Sequence, residues 1–482
     1  MVSRSAHRIA GVPRFRLFVR PAVAAASALA VLGAPALAGC GGGGGAHGTP
    51  GAKGLRDPYF PKAGNGGYDV SHYALTLAYD PAEPRLSGTA VITARATQDL
   101  SAFDLDLLGL DVGSVTVDGR SAGWHRAGQE LTVRPPGPLG DGRVFRVAVR
   151  YSGRPVTLTD PDGSQEGWLP TADGALALGE PTGSMTWFPG NDHPSDKASY
   201  DISVTVPKGL QAVSNGELTG RTTSGGRTAY RWRVAEPMAT YLATVAVGHY
   251  DLDRSTAAGG LPVLVAVDPT QAAASRAVLA RLPEVLGWEE RVFGPYPFGS
   301  AGAIVDRPGD AGYALETQNR PVFPGPPDLT TLVHELAHQW YGDSVTPVSW
   351  RDMWLNEGFA TYAEWLWAED HGGATAQRTF DRLYRTGAGA DLWAFPPGSP
   401  PGAADISARP VYDRGAMVLQ KVRQRAGDRA FLGILRGWAT ARRHAGASTP
   451  DFTAYVERRV PGADFHDIWA TWLYGDGKPP AP

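Results

Sequence analysis

The sequence predicts an α+β chain of two domains, an antiparallel β domain followed by a mainly helical one, on three observations. The chain has 482 residues, enough for two to four domains at ~100–200 residues each. Apolar residues recur with period two through residues 66–255, and runs of helical length and spacing dominate 256–478. The hydrophobic content of 43% and charged content of 19% suit a packed core rather than a disordered chain.

Residues 1–39 come first and stand apart. They hold five arginines (Arg4, Arg8, Arg14, Arg16, Arg20) and no acid, ahead of an Ala/Leu/Val-rich run from Ala22 to Ala38. That run is short for a membrane span and has the flanks of a secretory signal. It ends in Leu37-Ala38-Gly39-Cys40, which resembles the lipobox of bacterial lipoproteins. The expectation is a signal peptide over 1–39, lipidation of Cys40 and a flexible Gly-rich tether over 40–65.

The β domain is expected over 66–255. Tyr73, Leu75, Leu77 and Tyr79 alternate with small or polar residues, Phe145, Val147, Val149 and Tyr151 with Arg146, Ala148 and Arg150, and Ile202, Val204 and Val206 repeat the period. Gly, Pro and Asp punctuate these runs, as hairpin-linked strands require. From 256 the pattern changes. An apolar run Leu261–Val267 precedes a helix near Gln271–Phe293, a strand at Ala301–Val305, and helices near 328–342, 351–371, 411–425 and 428–443. Asp328 can cap the second of these helices and Gly372-Gly373 can end the third. Phe465, Ile468, Trp469, Trp472 and Leu473 suggest a last amphipathic helix.

Charge and cysteine content narrow the function. A net charge of −3 argues against a nucleic-acid binder. One cysteine excludes a disulfide framework and a thiolate metal site, so any metal must be held by histidine and carboxylate. Such a set is present. In His334-Glu335-Leu336-Ala337-His338 the two histidines lie four residues apart, about one helical turn, so both imidazoles can reach one Zn²⁺. Glu335 sits beside them, placed for water rather than metal. Glu357, in Trp354-Leu355-Asn356-Glu357-Gly358, follows His338 by nineteen residues on the next helix. Two His and one Glu is the ligand set of hydrolytic zinc enzymes. Glu364 lies near the same helix face, either orienting a ligand histidine or simply solvated. Trp340, Trp354, Trp365 and Trp367 on these helices read as core packing, and His193, His249, His371, His444 and His466 as structural or exposed.

At this point the chain resembles the gluzincin aminopeptidases of the aminopeptidase N type, over nearly all of 66–476. The H-E-x-x-H and N-E-G elements carry the resemblance. So do Trp187-Phe188-Pro189-Gly190-Asn191-Asp192-His193-Pro194 with Lys197 and Tyr200, and Tyr412-Asp413-Arg414-Gly415-Ala416, where Arg414 stands for the family's Lys. The resemblance implies a saddle-shaped β domain ahead of a thermolysin-like zinc peptidase domain. It implies one Zn²⁺ per chain held by His334, His338 and Glu357, Glu335 as general base, and Tyr412 as stabiliser of the tetrahedral intermediate. Without the resemblance Tyr412 reads as a packed aromatic. Glu316 falls on the family's amine-binding glutamate, in Tyr313-Ala314-Leu315-Glu316-Thr317, where Tyr and Thr replace Gly and Asn and alter the first specificity pocket. Glu180 matches a second amine-binding glutamate.

Members often continue into a large helical C-terminal domain, and the expectation is a form without it and a more open cleft. The implied function is a zinc aminopeptidase acting on peptides with free N-termini. It would be monomeric and lipid-anchored through Cys40 on the extracytoplasmic side of a bacterial membrane, with no nucleic-acid partner. Two alternatives are a zinc endopeptidase on the same fold and a peptide-binding surface lipoprotein without turnover.

Overall fold

The period-two runs become strands whose alternate side chains enter one core. In the computed structural model, which describes residues 48–480, the largest sheet has eight strands. Tyr68–Asp80, Arg85–Ala96 and Val144–Gly153 pair antiparallel in succession. Lys197–Pro207 instead runs parallel beside Tyr68–Asp80, setting Tyr200, Ile202 and Val204 opposite Tyr73, Leu75 and Leu77. All six are buried, and the Tyr73 and Tyr200 rings stack at 4.8 Å. A five-stranded antiparallel sheet packs behind, with Ala175–Leu178 between Gln165–Pro170 and Val245–Gly248. Ala175–Leu178 leads directly to Glu180.

The second half opens with Asp251–Thr256 paired to Pro262–Val267, which lies parallel to Ala301–Val305. The sheet of the second half therefore begins at Asp251. Eight helices follow: α1 (Ala272–Leu279), α2 (Leu282–Phe293), α3 (Leu329–Ala337), α4 (Trp354–Asp370), α5 (Ala376–Tyr384), α6 (Gly415–Ala426), α7 (Asp428–Ala441) and α8 (Thr449–Arg459). The single helix expected over 271–293 is two, because Pro283 starts a new one in its first turn. Helices α5 and α8 were not anticipated; α8 carries a Ser448/Asp451 capping box that was there to read. The tail is a short helical segment, His466–Leu473.

The expected tether ends earlier than 65. The signal segment 1–39 and Cys40 lie outside the described residues, but from Gly48 the chain is packed. Thr49–Pro50 pairs with Leu100–Asp106. Asp57, 4% exposed, accepts from the backbone of Tyr59 and Phe60, from Ser349 Oγ at 2.8 Å and from the Trp350 amide at 3.0 Å. The 48–65 segment thus straps the β domain to the helical half. Glycines and polar residues suggested a linker, but one buried carboxylate with four donors holds it down. No helix among the described residues is long and apolar enough to cross a membrane.

The two halves share one compact unit, joined by buried polar contacts. Lys197 Nζ donates to the carbonyls of Asp343 and Ser344 at 2.8 and 2.9 Å. Asn215 Nδ2 donates to the Gln318 carbonyl at 2.8 Å, the Gly216 amide to Asn319 Oδ1 at 2.9 Å, and Arg320 to the Ser214 carbonyl at 2.9 Å. These contacts fix the β domain against the turn that follows Glu316 and against the loop after α3.

Burial alone would raise the Asp57 carboxyl, but its hydrogen bonds from His193, Tyr59, Ser349 and Trp350 outweigh that and hold it well below the usual carboxylate range. Asp57→Asn is therefore expected to lose about 2–3 kcal/mol at neutral pH. The deficit should shrink as pH falls below about 4, where the unfolded carboxyl protonates first; urea melts of both proteins across pH check this. A fragment starting at Ala46 should match the parent in thermal stability, and one starting at Gly66 should melt several degrees lower.

Candidate active site

Helix α3 begins at Asp328, whose Oδ1 accepts from the Thr331 amide at 2.8 Å. The apolar side chains Leu332, Val333 and Leu336 bury one face, which turns His334 and His338 toward α4. There Glu357 Oε2 stands 3.1 Å from His334 Nε2 and 3.5 Å from His338 Nε2. Ligands about 2.0–2.1 Å from a tetrahedral zinc lie about 3.3–3.4 Å apart, so this spacing fits the ion. The other ring nitrogens are committed elsewhere. His334 Nδ1 meets Glu364 Oε1 at 2.7 Å, and His338 Nδ1 meets the Tyr341 carbonyl at 3.0 Å. Both Nε2 atoms are thereby aimed at the shared point, as in metal sites with an oriented outer shell. Glu364, left open by the sequence, orients His334.

Glu357 reaches this point because α4 lies backbone to backbone against α6. A Cβ on Gly358 would sit 3.0 Å from the Gly415 carbonyl carbon. The two glycines are thus required by close approach. Just before Gly415, a single wide turn of π type spans Pro410–Arg414, a distortion that is common at functional sites. It carries Tyr412, whose ring stacks on His334 at 6.0 Å and 12°. Burial and then the Glu357 charge keep its phenol well above its ordinary pKa, so the hydroxyl stays a donor. Arg414 is buried and its guanidinium donates to the carbonyls of Trp472, Phe395, Gly477, Thr471 and Gly475. It pins the C-terminal segment under the Tyr412 turn.

Glu316 is presented by a bridge between Leu315 and Val322 at the edge of the second-half sheet. It is 3% exposed, and its Oε1 has no partner. Carboxylate oxygens of Glu180, Glu316 and Glu357 lie within 4.8 Å of one another, as do ligand atoms of Glu316, Glu335 and His338. The structure thus brings together every site residue anticipated from the sequence within the described part. Glu335 is 6% exposed, with Oε2 unpaired; burial first, then Glu316 and Glu357, push it up to about 7 against the two histidines. Burial would lower His338, but the Glu316 and Glu357 carboxylates overcome that and hold it near 9. Glu180 and Glu316 are both raised by burial, Glu180 further by the Glu316 charge.

The cavity holding these groups has a volume of about 270 Å³. Apart from Tyr313, its remaining wall was not foreseen. Asp160, Asp162 and Ser164, from the turn between Thr157–Thr159 and Gln165–Pro170, line it with Tyr313 and Ile406. The Asp-Pro-Asp-Gly-Ser run could be read as a turn, but not as a cavity wall. Gln339, next to His338, was also missed. Its side chain donates to the Glu316 carbonyl at 3.2 Å and accepts from the Asn319 amide at 2.8 Å, tying α3 to the Glu316 segment.

A His/His/Glu donor set with an oriented outer shell, a buried free glutamate and a tyrosine on a helical scaffold behind β sheets defines a zinc peptidase. Comparison with known proteins agrees. Residues 69–242 match the model of the Peptidase M1 N-terminal domain and 328–472 that of the Peptidase family M1 domain. The chain is 31% identical to an M1 zinc metallopeptidase variant from Deinococcus radiodurans, solved with the substrate Tyr-Ser-Ala. That match has a TM-score of 0.81 and covers 89% of this chain and 99% of that one. It is 25% identical over 452 residues to leukotriene A-4 hydrolase of Xenopus laevis, covering 86% of this chain and 72% of that protein. It is 24% identical to probable aminopeptidase 2 of Sulfurisphaera tokodaii, covering 78% of this chain and 50% of that protein, so it spans only half of the latter's length. The chain belongs to peptidase family M1 and is a zinc metallopeptidase.

Glu364→Gln should weaken zinc retention about 10–100-fold, read by competition with a chelator. Glu335→Gln should keep zinc but lose about 10²–10⁴ in kcat. Tyr412→Phe should lose about 10²–10³ in kcat. Both are measured on metal-loaded protein with metal content verified.

Proposed function

We propose that the protein is an aminopeptidase, removing N-terminal residues from peptides with a free amino group and using one zinc ion per chain. The observation that carries this is the anionic corner formed by Glu180 and Glu316 beside Glu357. Glu316 in particular is a buried carboxylate with an unpaired oxygen. A protonated α-amine satisfies it with charge-assisted hydrogen bonds, whereas an acylated terminus leaves it unpaired.

In this reading His334, His338 and Glu357 hold the metal. Zinc so held supplies Lewis acidity toward the scissile carbonyl and makes water nucleophilic near neutral pH. Glu335, buried beside the metal ligands with one carboxylate oxygen unpaired, takes the proton of the attacking water and returns it to the leaving amine. The Tyr412 hydroxyl donates to the oxyanion as charge develops there. Glu316 and Glu180 hold the amine so that the first peptide bond, and not a later one, meets these groups. Arg414 and the Gly358–Gly415 contact keep Tyr412 and Glu357 at their places.

The amino-terminal pattern supports a lipid anchor at Cys40, with the body acting as a monomer on the extracytoplasmic side of a bacterial membrane. Cys40→Ala should release the protein into the soluble fraction, and mass spectrometry of the wild-type N-terminus should find a diacylated or triacylated cysteine.

The test of the reaction is one peptide pool, free or N-acetylated, with products read by mass spectrometry. Stepwise loss from the N-terminus in the free pool alone is expected. Internal cuts in both pools would replace this reading with an endopeptidase. Glu316→Gln should lower kcat/KM for free peptides by about 10–100-fold, the worth of one charge-assisted hydrogen bond, with zinc content unchanged.

A further inference from the structure

With the amine corner and the metal side assigned, the catalytic cavity still has a stretch of wall without a role: Asp160, Asp162 and Ser164, with Tyr313, Leu315 and Ile406. This wall adjoins the amine corner. Tyr313 and Leu315 precede Glu316 by three residues and one, and the Tyr313 hydroxyl lies 3.5 Å from the Glu180 carbonyl. The aspartates sit in the hairpin loop between Thr157–Thr159 and Gln165–Pro170. Its ends are closed by the Asp160 amide on the Ser164 carbonyl at 2.9 Å and the Gly163 amide on the Asp160 carbonyl at 2.9 Å. The second strand of the hairpin carries Glu166, fully buried. It accepts from the Thr182 amide at 2.9 Å, the Thr182 hydroxyl at 3.0 Å and the Gly183 amide at 2.7 Å. The hairpin is thereby tied to the turn that follows Glu180. A substrate whose amine meets Glu316 and Glu180 carries its first side chain on the carbon next to that amine, so this side chain is the part closest to the hairpin.

No lysine or arginine lines the cavity, and neither Asp160 nor Asp162 has an ion-pair partner among the described residues. Asp162 Oδ1 takes the Ser164 amide at 2.9 Å and the Ser164 hydroxyl at 2.6 Å, both from its own turn. Asp160 Oδ2 is buried without a donor. Burial, with the Asp162 charge, raises the Asp160 carboxyl to about 6 against a bond with Glu166, so it is ionised at neutral pH. An acidic turn alone names no ligand, but this one shares its cavity with Glu316, buried and with Oε1 unpartnered, which calls for a substrate there. Formally, a zinc ion and one ammonium offset all but one of the charges on Glu180, Glu316, Glu335 and Glu357, and leave both aspartates uncompensated. Tyr313, Leu315 and Ile406 supply apolar surface on the same wall. A long aliphatic stem ending in a cation matches that combination, its methylenes on the apolar side chains and its head at the carboxylates. A guanidinium can meet two carboxylate oxygens at once.

Resting on the aminopeptidase reading, we infer that this wall receives the first side chain of the substrate and selects arginine or lysine there, with Asp160 and Asp162 as the specificity-determining residues. The preferred substrates are then peptides with a basic first residue, bound by two cations at once: the amine at Glu316 and Glu180, and the side chain at the hairpin.

The test compares X-Ala-Ala tripeptides in pairs of like shape, arginine against citrulline and lysine against norleucine, on the zinc-loaded full chain. Turnover is read as kcat/KM by mass spectrometry of the products. Affinity is read without turnover, by isothermal titration of the Glu335→Gln protein. In both, the charged member of each pair should exceed its neutral partner about tenfold, the lower range for a charge-assisted hydrogen bond. The same pairs in Ala-X-Ala peptides should give a ratio of about one, which assigns the contact to the first side chain and not the second. D160N and D162N together should bring the first-position ratio to about one. D162N alone, at the exposed part of the turn, should lower it without disturbing the buried Asp160 and Glu166. A ratio near one in the parent protein, a ratio seen only in the Ala-X-Ala series, or one that survives both D162N and the double variant overturns the proposal. N-acetylated Arg-Ala-Ala in the same titrations separates the two readings. If acetylation does not weaken binding, the amine-binding assignment fails, while the arginine-to-citrulline ratio still reports on the aspartates.

Discussion

Four carboxylates, Glu180, Glu316, Glu335 and Glu357, face one small cavity against two imidazoles, and the molecule is built around the need to hold that excess of negative charge in place. Like charges at these separations repel strongly when buried. They persist because they are borne on rigid elements and because cations are what the cavity is for. A divalent ion between His334, His338 and Glu357 and an ammonium between Glu316 and Glu180 are complementary to this field. Without both, the unpaired oxygens of Glu316 and Glu335 are a cost the fold must carry, as functional sites commonly do.

These groups come from both halves of the chain. Glu180 follows a strand of the β domain, while Glu316, Glu335 and Glu357 belong to the second half. The interdomain hydrogen bonds therefore act on the chemistry. Lys197, buried and lowered to about 7 by desolvation, still donates to the carbonyls of Asp343 and Ser344, just past α3. Asn215, Gly216 and Arg320 close the seam around the Gln318–Asn319 turn that follows Glu316. The strap through Asp57 adds a third tie, to Ser349 and Trp350 just ahead of α4.

The replacement of lysine by Arg414 has a specific consequence. All five of its donor positions are used on carbonyls of the C-terminal segment and of Phe395. A lysine has three donors on one atom and could not serve this fan of acceptors. The side chain lies against the turn that carries Tyr412, so the end of the chain is coupled to the position of that phenol.

The sequence by itself determined much of this site. The spacing of His334 and His338 on a helix, the following Glu357, and the single cysteine sufficed to define a His/His/Glu metal centre, because helical periodicity maps sequence distance onto a face. The strand periods likewise placed the core of the β domain. What only tertiary structure decided involves groups distant in sequence. Glu180 approaches Glu316 from another domain, and Glu364 could be assigned to His334 only once α3 and α4 were packed. The Asp160–Ser164 turn becomes a cavity wall. The 48–65 segment looked like a linker because glycine and polar residues dominate it, and one buried aspartate reversed that. In each case the deciding contact crosses a long stretch of chain, and no local pattern encodes which surface a polar side chain will meet.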